Sequence, residues 1–402
     1  MGSDPLALLS LVVGLLAVTP PVQVGLERIE ADKGGVLRGK RVGLVAHAVS
    51  VTADGRHAID VLRSSGVDVR RLFGPEHGLR SRAAAGEKVA SGTDPESGLP
   101  LVSLYGTSTK PDPKDLRDLD ALVIDLQDAG VRFYTYASTM ILCLEAAAEA
   151  GIGVVVLDRP NPLGGELIEG PLRDPAAPTS MLSLAPGPLV HGLTLGEMAR
   201  LVNGGRAKPV RLTVIAMSGW RRGMVWADTG RTWIPPSPNL RTAEAALAYP
   251  GVCLLEATNV SEGRGTDAPF LLLGAPWLKA EETAGAVHAD GFRLDPASFT
   301  PAASPAALAP KHAGEACRGL RVRVTDVHAV RPYALGLGLL GALRRLHPEF
   351  RWTREGAGLD TLLGTRRVRE ALERGDSVEA IQAGDGPALT AFAGERKAVL
   401  LY

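Results

Sequence analysis

From Gly39 onward the chain alternates short apolar runs with polar, turn-rich joints and stretches of helical periodicity. Lys40 to His47 reads as a strand, Arg56 to Ser65 as a helix and Val67 to Phe73 as a second strand. Pro100 to Tyr105 and Leu119 to Leu126 follow as strands, the latter nearly continuous in apolar residues, as a strand buried on both faces should be. Between Thr135 and Ala150, Met140, Cys143, Leu144 and Ala147 recur at helical spacing, and Gly151-Ile152-Gly153 then opens a strand over Val154 to Leu157. Thr194 to Asn203 is predicted helical, with Thr194 able to cap the first turn and Glu197 three residues on. Pro209 to Ala216 is another strand. This alternation predicts an α/β fold built on a doubly wound, mainly parallel sheet.

The second half is less regular. The proline-rich run Trp233 to Asn239 fits neither a helix nor a central strand, so it is a rigid linker or a wall of a site, and a domain boundary is expected near Leu247. Val252 to Ala257 and Leu320 to Val327 read as strands, Pro296 to Pro310 as a surface loop, and the chain beyond Tyr333 as mainly helical. Gly336-Leu337-Gly338-Leu339-Leu340-Gly341 satisfies the dinucleotide fingerprint as a string, but follows no strand and reads as a close-packed helix. Gly34 to Lys40 resembles the start of a phosphate-binding loop, yet Arg41 stands where a Ser or Thr is needed.

Composition narrows the function classes. With 402 residues, 44 Lys+Arg against 44 Asp+Glu and no basic cluster, the chain is expected to bind no nucleic acid. Cys143, Cys253 and Cys317 lie far apart among apolar or small neighbours, as buried thiols do, and neither a metal site nor a cofactor is expected. Leu6 to Val18 has the length of a signal-peptide core, although Met1 to Pro5 lacks the usual positive charge. Residues 1–23 are therefore read as a signal-like segment, the protein as exported to the periplasm or beyond, and no stable membrane insertion is expected.

Candidate chemistry gathers at strand ends. Val67 to Phe73 runs into Gly74-Pro75-Glu76-His77-Gly78, a turn that presents a carboxylate beside an imidazole. The next clusters are Asp125-Leu126-Gln127-Asp128-Ala129-Gly130-Val131-Arg132-Phe133-Tyr134-Thr135-Tyr136 and Asp158-Arg159-Pro160-Asn161-Pro162. Ends of parallel strands share one edge, so Glu76, Asp128 and Asp158 are expected to face one cleft, although Asp125 and Asp158, taken singly, read better as loop caps pairing with Arg132 and Arg159. Asn259-Val260-Ser261-Glu262-Gly263-Arg264-Gly265-Thr266 adds a glycine-flanked guanidinium. Carboxylates, amides, aromatics and arginines without a thiol nucleophile or nucleophile elbow suit glycoside hydrolysis, which needs one protonated and one ionised carboxyl group.

The ordered motifs Gly-Pro-Glu-His-Gly, Asp-Leu-Gln-Asp-Ala-Gly-Val-Arg-Phe-Tyr-Thr-Tyr, Leu-Asp-Arg-Pro-Asn-Pro-Leu-Gly-Gly, Pro-Pro-Ser-Pro-Asn and Asn-Val-Ser-Glu-Gly-Arg-Gly-Thr together resemble the bacterial exo-β-N-acetylmuramidase family. The resemblance runs from about Val24 to the C-terminus. It implies a Rossmann-like N-terminal domain (24–246), a smaller α/β C-terminal domain (247–402) and a cleft between them, acting on N-acetylmuramic acid at non-reducing ends of peptidoglycan fragments. The family's motif glutamate falls on Glu76, the first choice for a catalytic acid, and Glu262 is the second. Asp128 or Glu262 is expected to orient a substrate acetamido group, and Arg264 or Arg132 to meet the lactyl carboxylate. His77, Gln127, Tyr134, Tyr136, Asp158, Arg159, Asn161, Asn239 and Asn259 complete the expected sugar-binding set. Where the family usually carries Thr-Asn-x-Thr-Gly, this chain has Ala46-His47-Ala48-Val49-Ser50, so His47 can stand in for an amide donor. A carbohydrate-binding protein without turnover, or an amidase or esterase on the same polymer, remains an alternative.

Overall fold

A computed structural model of the chain describes residues 21–402, so most of the signal-like segment lies outside the described residues. Seven strands form the main sheet: β1 (Arg41–Ala46), β2 (Asp68–Gly74), β3 (Gly92–Thr93), β4 (Pro100–Ser103), β5 (Ala121–Asp125), β6 (Gly153–Leu157) and β7 (Leu212–Ile215). Their order is β3-β4-β2-β1-β5-β6-β7, and every pairing is parallel except β3 with β4. The chain builds outward from β1 in one direction and then from β5 in the other. The gap beyond the carboxyl ends of β1 and β5 is thus the topological switch point, where open α/β sheets hold ligands.

Helices α1 (Gly25–Ala31) and α2 (Ala58–Ser64) cover one face of this sheet, burying Leu26, Ile29, Ile59 and Leu62 against Val42, Leu44 and Val123. The other face carries α4 (Thr135–Ala150) and α5 (Leu195–Gly204), the short α3 (Pro113–Leu116) lying beside α4. As the spacing predicts, α4 buries Met140, Cys143, Leu144 and Ala147, and Thr194 caps α5 reciprocally with Glu197.

This second core continues without a break into α6 (Ala243–Val252), α7 (Ala280–Gly285) and α8 (Pro332–Leu346). A three-stranded antiparallel sheet, β8 (Leu272–Ala275), β9 (Phe292–Phe299) and β10 (Cys317–Val324), has β10 in the middle. Four short helices between Ala357 and Glu395 finish the helical C-terminal part.

Two expected elements are corrected. Val252 to Ala257 is not a strand but the end of α6 and a following 3-10 turn, Cys253–Ala257. An apolar run buried on all sides looks alike in helix and strand, and the Ala-rich residues before it carry the helix forward. The start of the expected loop from Pro296 is strand β9, where Pro296 is tolerated because β9 is an edge. The fingerprint glycines do lie in a close-packed helix. A Cβ at Gly336 would sit 2.8 Å from the Gly251 carbonyl oxygen, so α6 and α8 touch backbone to backbone.

Arg132 holds the two halves together. Its guanidinium, with none of its surface exposed, donates from Nη1 to the carbonyls of Pro171 (2.8 Å) and Gly187 (3.0 Å) and from Nη2 to that of Leu363 (2.5 Å). Burial, helped by Arg173, pushes it down to about 10. Arg132→Leu leaves those carbonyls without their donor, and is expected to cost on the order of 3 kcal/mol of stability, read as a lowered urea midpoint. An unchanged midpoint would refute this stapling role.

Candidate active site

Glu76 follows β2 in a turn closed by the Gly78 amide donating to the Pro75 carbonyl (2.9 Å), with His77 and Gly78 both in the left-handed region (φ 67° and 74°). A non-glycine residue held there is a constraint that surrounding contacts must impose. His77 supplies one, pairing through Nδ1 with the Ala83 carbonyl at 2.8 Å. The Glu76 side chain is only 8% exposed. Its Oε1 accepts from the Gly86 amide (2.9 Å) and its Oε2 from the Thr135 hydroxyl (2.7 Å) at the first residue of α4. The positive end of that helix favours a carboxylate. The Thr135 hydroxyl can also turn to accept, so the pair accommodates either protonation state.

Aromatic rings wall this carboxyl. Tyr136 donates to the backbone carbonyls of Glu76 (3.2 Å) and Pro236 (3.0 Å), and its ring meets His47 edge-on at 4.9 Å. Tyr134 packs on Tyr136 at 4.8 Å, and its hydroxyl has no partner. Burial raises the Tyr134 phenol well above its usual range; Tyr136, Tyr249, Asp128 and Glu76 add to the effect, so both carboxylates press on one hydroxyl. Tyr105 is pushed up to about 12, by burial first and by the Glu76 charge second.

Two histidines here have their tautomers fixed by backbone amides. The Gln127 amide donates to His47 Nε2 (3.0 Å), which leaves His47 Nδ1 carrying the proton, buried and unpartnered. Burial keeps His47 neutral by holding its imidazole well below the usual range. The Leu193 amide donates to His191 Nδ1 (3.1 Å), which turns the Nε2–H of His191 towards Asp128 Oδ2 at 3.4 Å. That same Oδ2 accepts from the Gly130 amide (2.8 Å), whereas Asp128 Oδ1 has no partner. Gln127 Oε1 and Asn239 Oδ1 are likewise buried and unpartnered. Buried polar groups normally find partners. Unpaired donors and acceptors on the loops that follow these strand ends suit a ligand rich in hydroxyl and amide groups.

The C-terminal half supplies Arg264, whose charge acts on His77 across the gap. It bonds Glu256, approaches Glu262 Oε1 with Nε at 3.3 Å and lies 5.1 Å from the Phe270 ring centroid. Burial disfavours its charge, but Glu256 and Glu262 outweigh that and raise its pKa. Phe270 in turn packs on Tyr249, and Tyr249 on Tyr134, an aromatic chain from this loop to the Glu76 wall.

Several expected site residues do other work. Glu262 pairs with Lys311 (2.9 Å) and lies 3.3 Å from Arg264 Nε, contacts that hold the arginine in place. Asp158 turns away from the cleft and accepts from Thr194 Oγ1 (2.7 Å), the Gly196 amide (2.8 Å) and the Tyr402 hydroxyl (2.7 Å). Burial pushes it up to about 6 although those three donors pull the other way. Arg159 forms a buried bidentate pair with Asp125 at 2.5 and 2.9 Å. Asn161 bonds the Leu193 carbonyl and the Leu163 amide, and Asn259 bonds the Glu349 carbonyl and the Arg351 amide, both as loop ties. Arg132 is committed to its carbonyls. Thr135 bonds Glu76, His191 faces Asp128 and Tyr105 lies within reach of the Glu76 charge, three neighbours that the strand-end pattern does not mark. Thr135 lies inside a quoted motif, but nothing local marks His191 or Tyr105.

The N-terminal profile of the family described as exo-beta-N-acetylmuramidase NamZ matches residues 42–244, and its C-terminal profile matches residues 247–402. The chain is 41% identical to the peptidoglycan beta-N-acetylmuramidase NamZ of Bacillus subtilis (strain 168) over 391 residues, 96% of this chain and 92% of that protein. Crystal structures of two DUF1343 family proteins from Bacteroides fragilis NCTC 9343 superpose with TM-scores of 0.86 and 0.77. Each is 31% identical and covers 95% of this chain and 99% of its own.

Proposed function

The chain belongs to the exo-beta-N-acetylmuramidase family, and from that premise we propose that it removes N-acetylmuramic acid from the non-reducing ends of peptidoglycan fragments with Glu76 as the proton donor. The enclosed Glu76 carboxyl among unpartnered polar groups is the observation that carries the reading. Protonated Glu76 gives its proton to the glycosidic oxygen as the bond from the anomeric carbon breaks. The acetamido carbonyl oxygen of the same sugar closes onto that carbon from the opposite face, in place of a protein nucleophile. Asp128 Oδ1 accepts the acetamido N–H and so aligns the carbonyl. Glu76, now ionised, takes a proton from the water that reopens the ring, and the product keeps its configuration.

His47 Nδ1–H, Gln127 Oε1 and Asn239 Oδ1 are available to the sugar's hydroxyl and carbonyl groups. Arg264, whose charge acts on His77, is the guanidinium assigned in this reading to the lactyl carboxylate. Arg264→Ala is expected to reduce the preference for muramic over glucosamine glycosides by roughly tenfold or more, the worth of a charge-assisted hydrogen bond. Unchanged discrimination in initial rates would refute the assignment. Substrate drawn from the cell wall fits an exported enzyme. Among the described residues no helix is long and apolar enough to cross a membrane.

Incubation with a chromogenic aryl N-acetylmuraminide tests the activity. The expected result is colour together with free N-acetylmuramic acid. Saturable sugar binding with no colour would make this a carbohydrate-binding protein instead.

A further inference from the structure

A separate groove of about 670 Å³ runs between the two halves, with segments around residues 163–170 and 222–225 on one side and 288–290, 327–334 and 378–389 on the other. Glu76 is not among its walls. Glu169 is, and it is 6% exposed. Its backbone is held by paired hydrogen bonds with Val190 (3.1 and 2.9 Å), and its Oε2 accepts from the Tyr333 amide at 3.0 Å. Among the described residues no donor serves Oε1. A nearly buried carboxylate oxygen without a donor is costly unless a ligand or solvent supplies one.

The lining of the groove carries more acids than bases. Glu166, Asp290 and Glu379 are exposed carboxylates of its wall. Of the lining arginines, Arg222 is paired with Glu197 and bonds the carbonyls of Gly165 and Gly192, whereas Arg331 is exposed, bonds the Val330 carbonyl and exerts its charge on Glu169. Leu167, Val225 and Leu389 add apolar surface. We propose that this groove binds a cationic amine, a primary ammonium on a short aliphatic stem, with Glu169 Oε1 accepting from the ammonium. The exposed carboxylates attract the cation, and the apolar wall takes the stem.

Calorimetric titration of the full chain with n-pentylamine tests this, run at pH 8 so that Glu169, pushed up to about 7 by burial, is ionised. Uncharged n-pentanol is the control. The expected result is saturable one-to-one binding of the amine and none of the alcohol, weakened about tenfold or more in Glu169→Gln. Should that variant fail to fold, the combined exposed variant Glu166→Gln, Asp290→Asn, Glu379→Gln must show weakened binding and reduced salt sensitivity. Absence of saturable amine binding, equal binding of the alcohol, or unaltered affinity in the variants would overturn the proposal. Binding is read directly, so the outcome is independent of whether the Glu76 site hydrolyses glycosides.

Discussion

Glu76→Gln is expected to lower kcat on a sugar leaving group by about 10²–10⁴-fold, the usual contribution of a general acid. The substitution preserves shape. The amide oxygen can still accept from Gly86 N–H or from Thr135, and a single change of this kind leaves the fold and KM close to those of the parent. The loss should depend on the leaving group. An aryl leaving group that departs as a stable anion needs little protonation, so its bond-breaking step should fall far less than that of a sugar. Equal losses on both substrates would mean that Glu76 supports the site without donating a proton. A single-turnover measurement on the two substrates separates these outcomes.

Asp128→Asn should carry the next largest effect, roughly a 10²–10³-fold fall in kcat, comparable to losing one preorganised electrostatic contact at a reacting group. Oδ2 is already engaged by Gly130 and faced by His191, so Oδ1 is the acceptor left for the substrate. An asparagine cannot supply the same charge to the acetamido N–H. If the substrate's own carbonyl attacks, successive fluorination of the acetamido methyl should slow the wild-type enzyme progressively, and the first anomer released should keep its configuration. Release of the inverted anomer, or rates indifferent to fluorination, would exclude substrate assistance.

Much of the N-terminal half was legible because its signals are local. Apolar runs, Gly-Pro turns and the Thr194–Glu197 cap each declare themselves within a few residues, and the strand ends fall where those signals put them. The rule that parallel strands share one edge located Glu76 and Asp128, but it fixes backbone position and not side-chain direction. Asp158 therefore sits at the right edge yet turns under it to cap α5, with a tyrosine 244 residues away as its third donor. Arg132 fails for the same reason. Its partner at Leu363 is 231 residues distant, and no spacing in the sequence announces it. His191 lies in an irregular segment whose role appears only when Leu193 fixes its tautomer and the fold brings Asp128 alongside. In the second half, β8 and β9 went unpredicted because a short apolar segment and a proline-bearing edge strand carry little pattern of their own.

The central claim is spatial, and a crystal structure of the protein soaked with N-acetylmuramic acid tests it most directly. The sugar should lie at the carboxyl ends of β1, β2 and β5, with a Glu76 carboxyl oxygen about 2.6–3.2 Å from the anomeric hydroxyl oxygen, the acetamido nitrogen on Asp128 and the lactyl carboxylate on Arg264. A sugar bound elsewhere, or bound there with Glu76 still held by Gly86 and Thr135 and out of reach of that oxygen, would contradict the account.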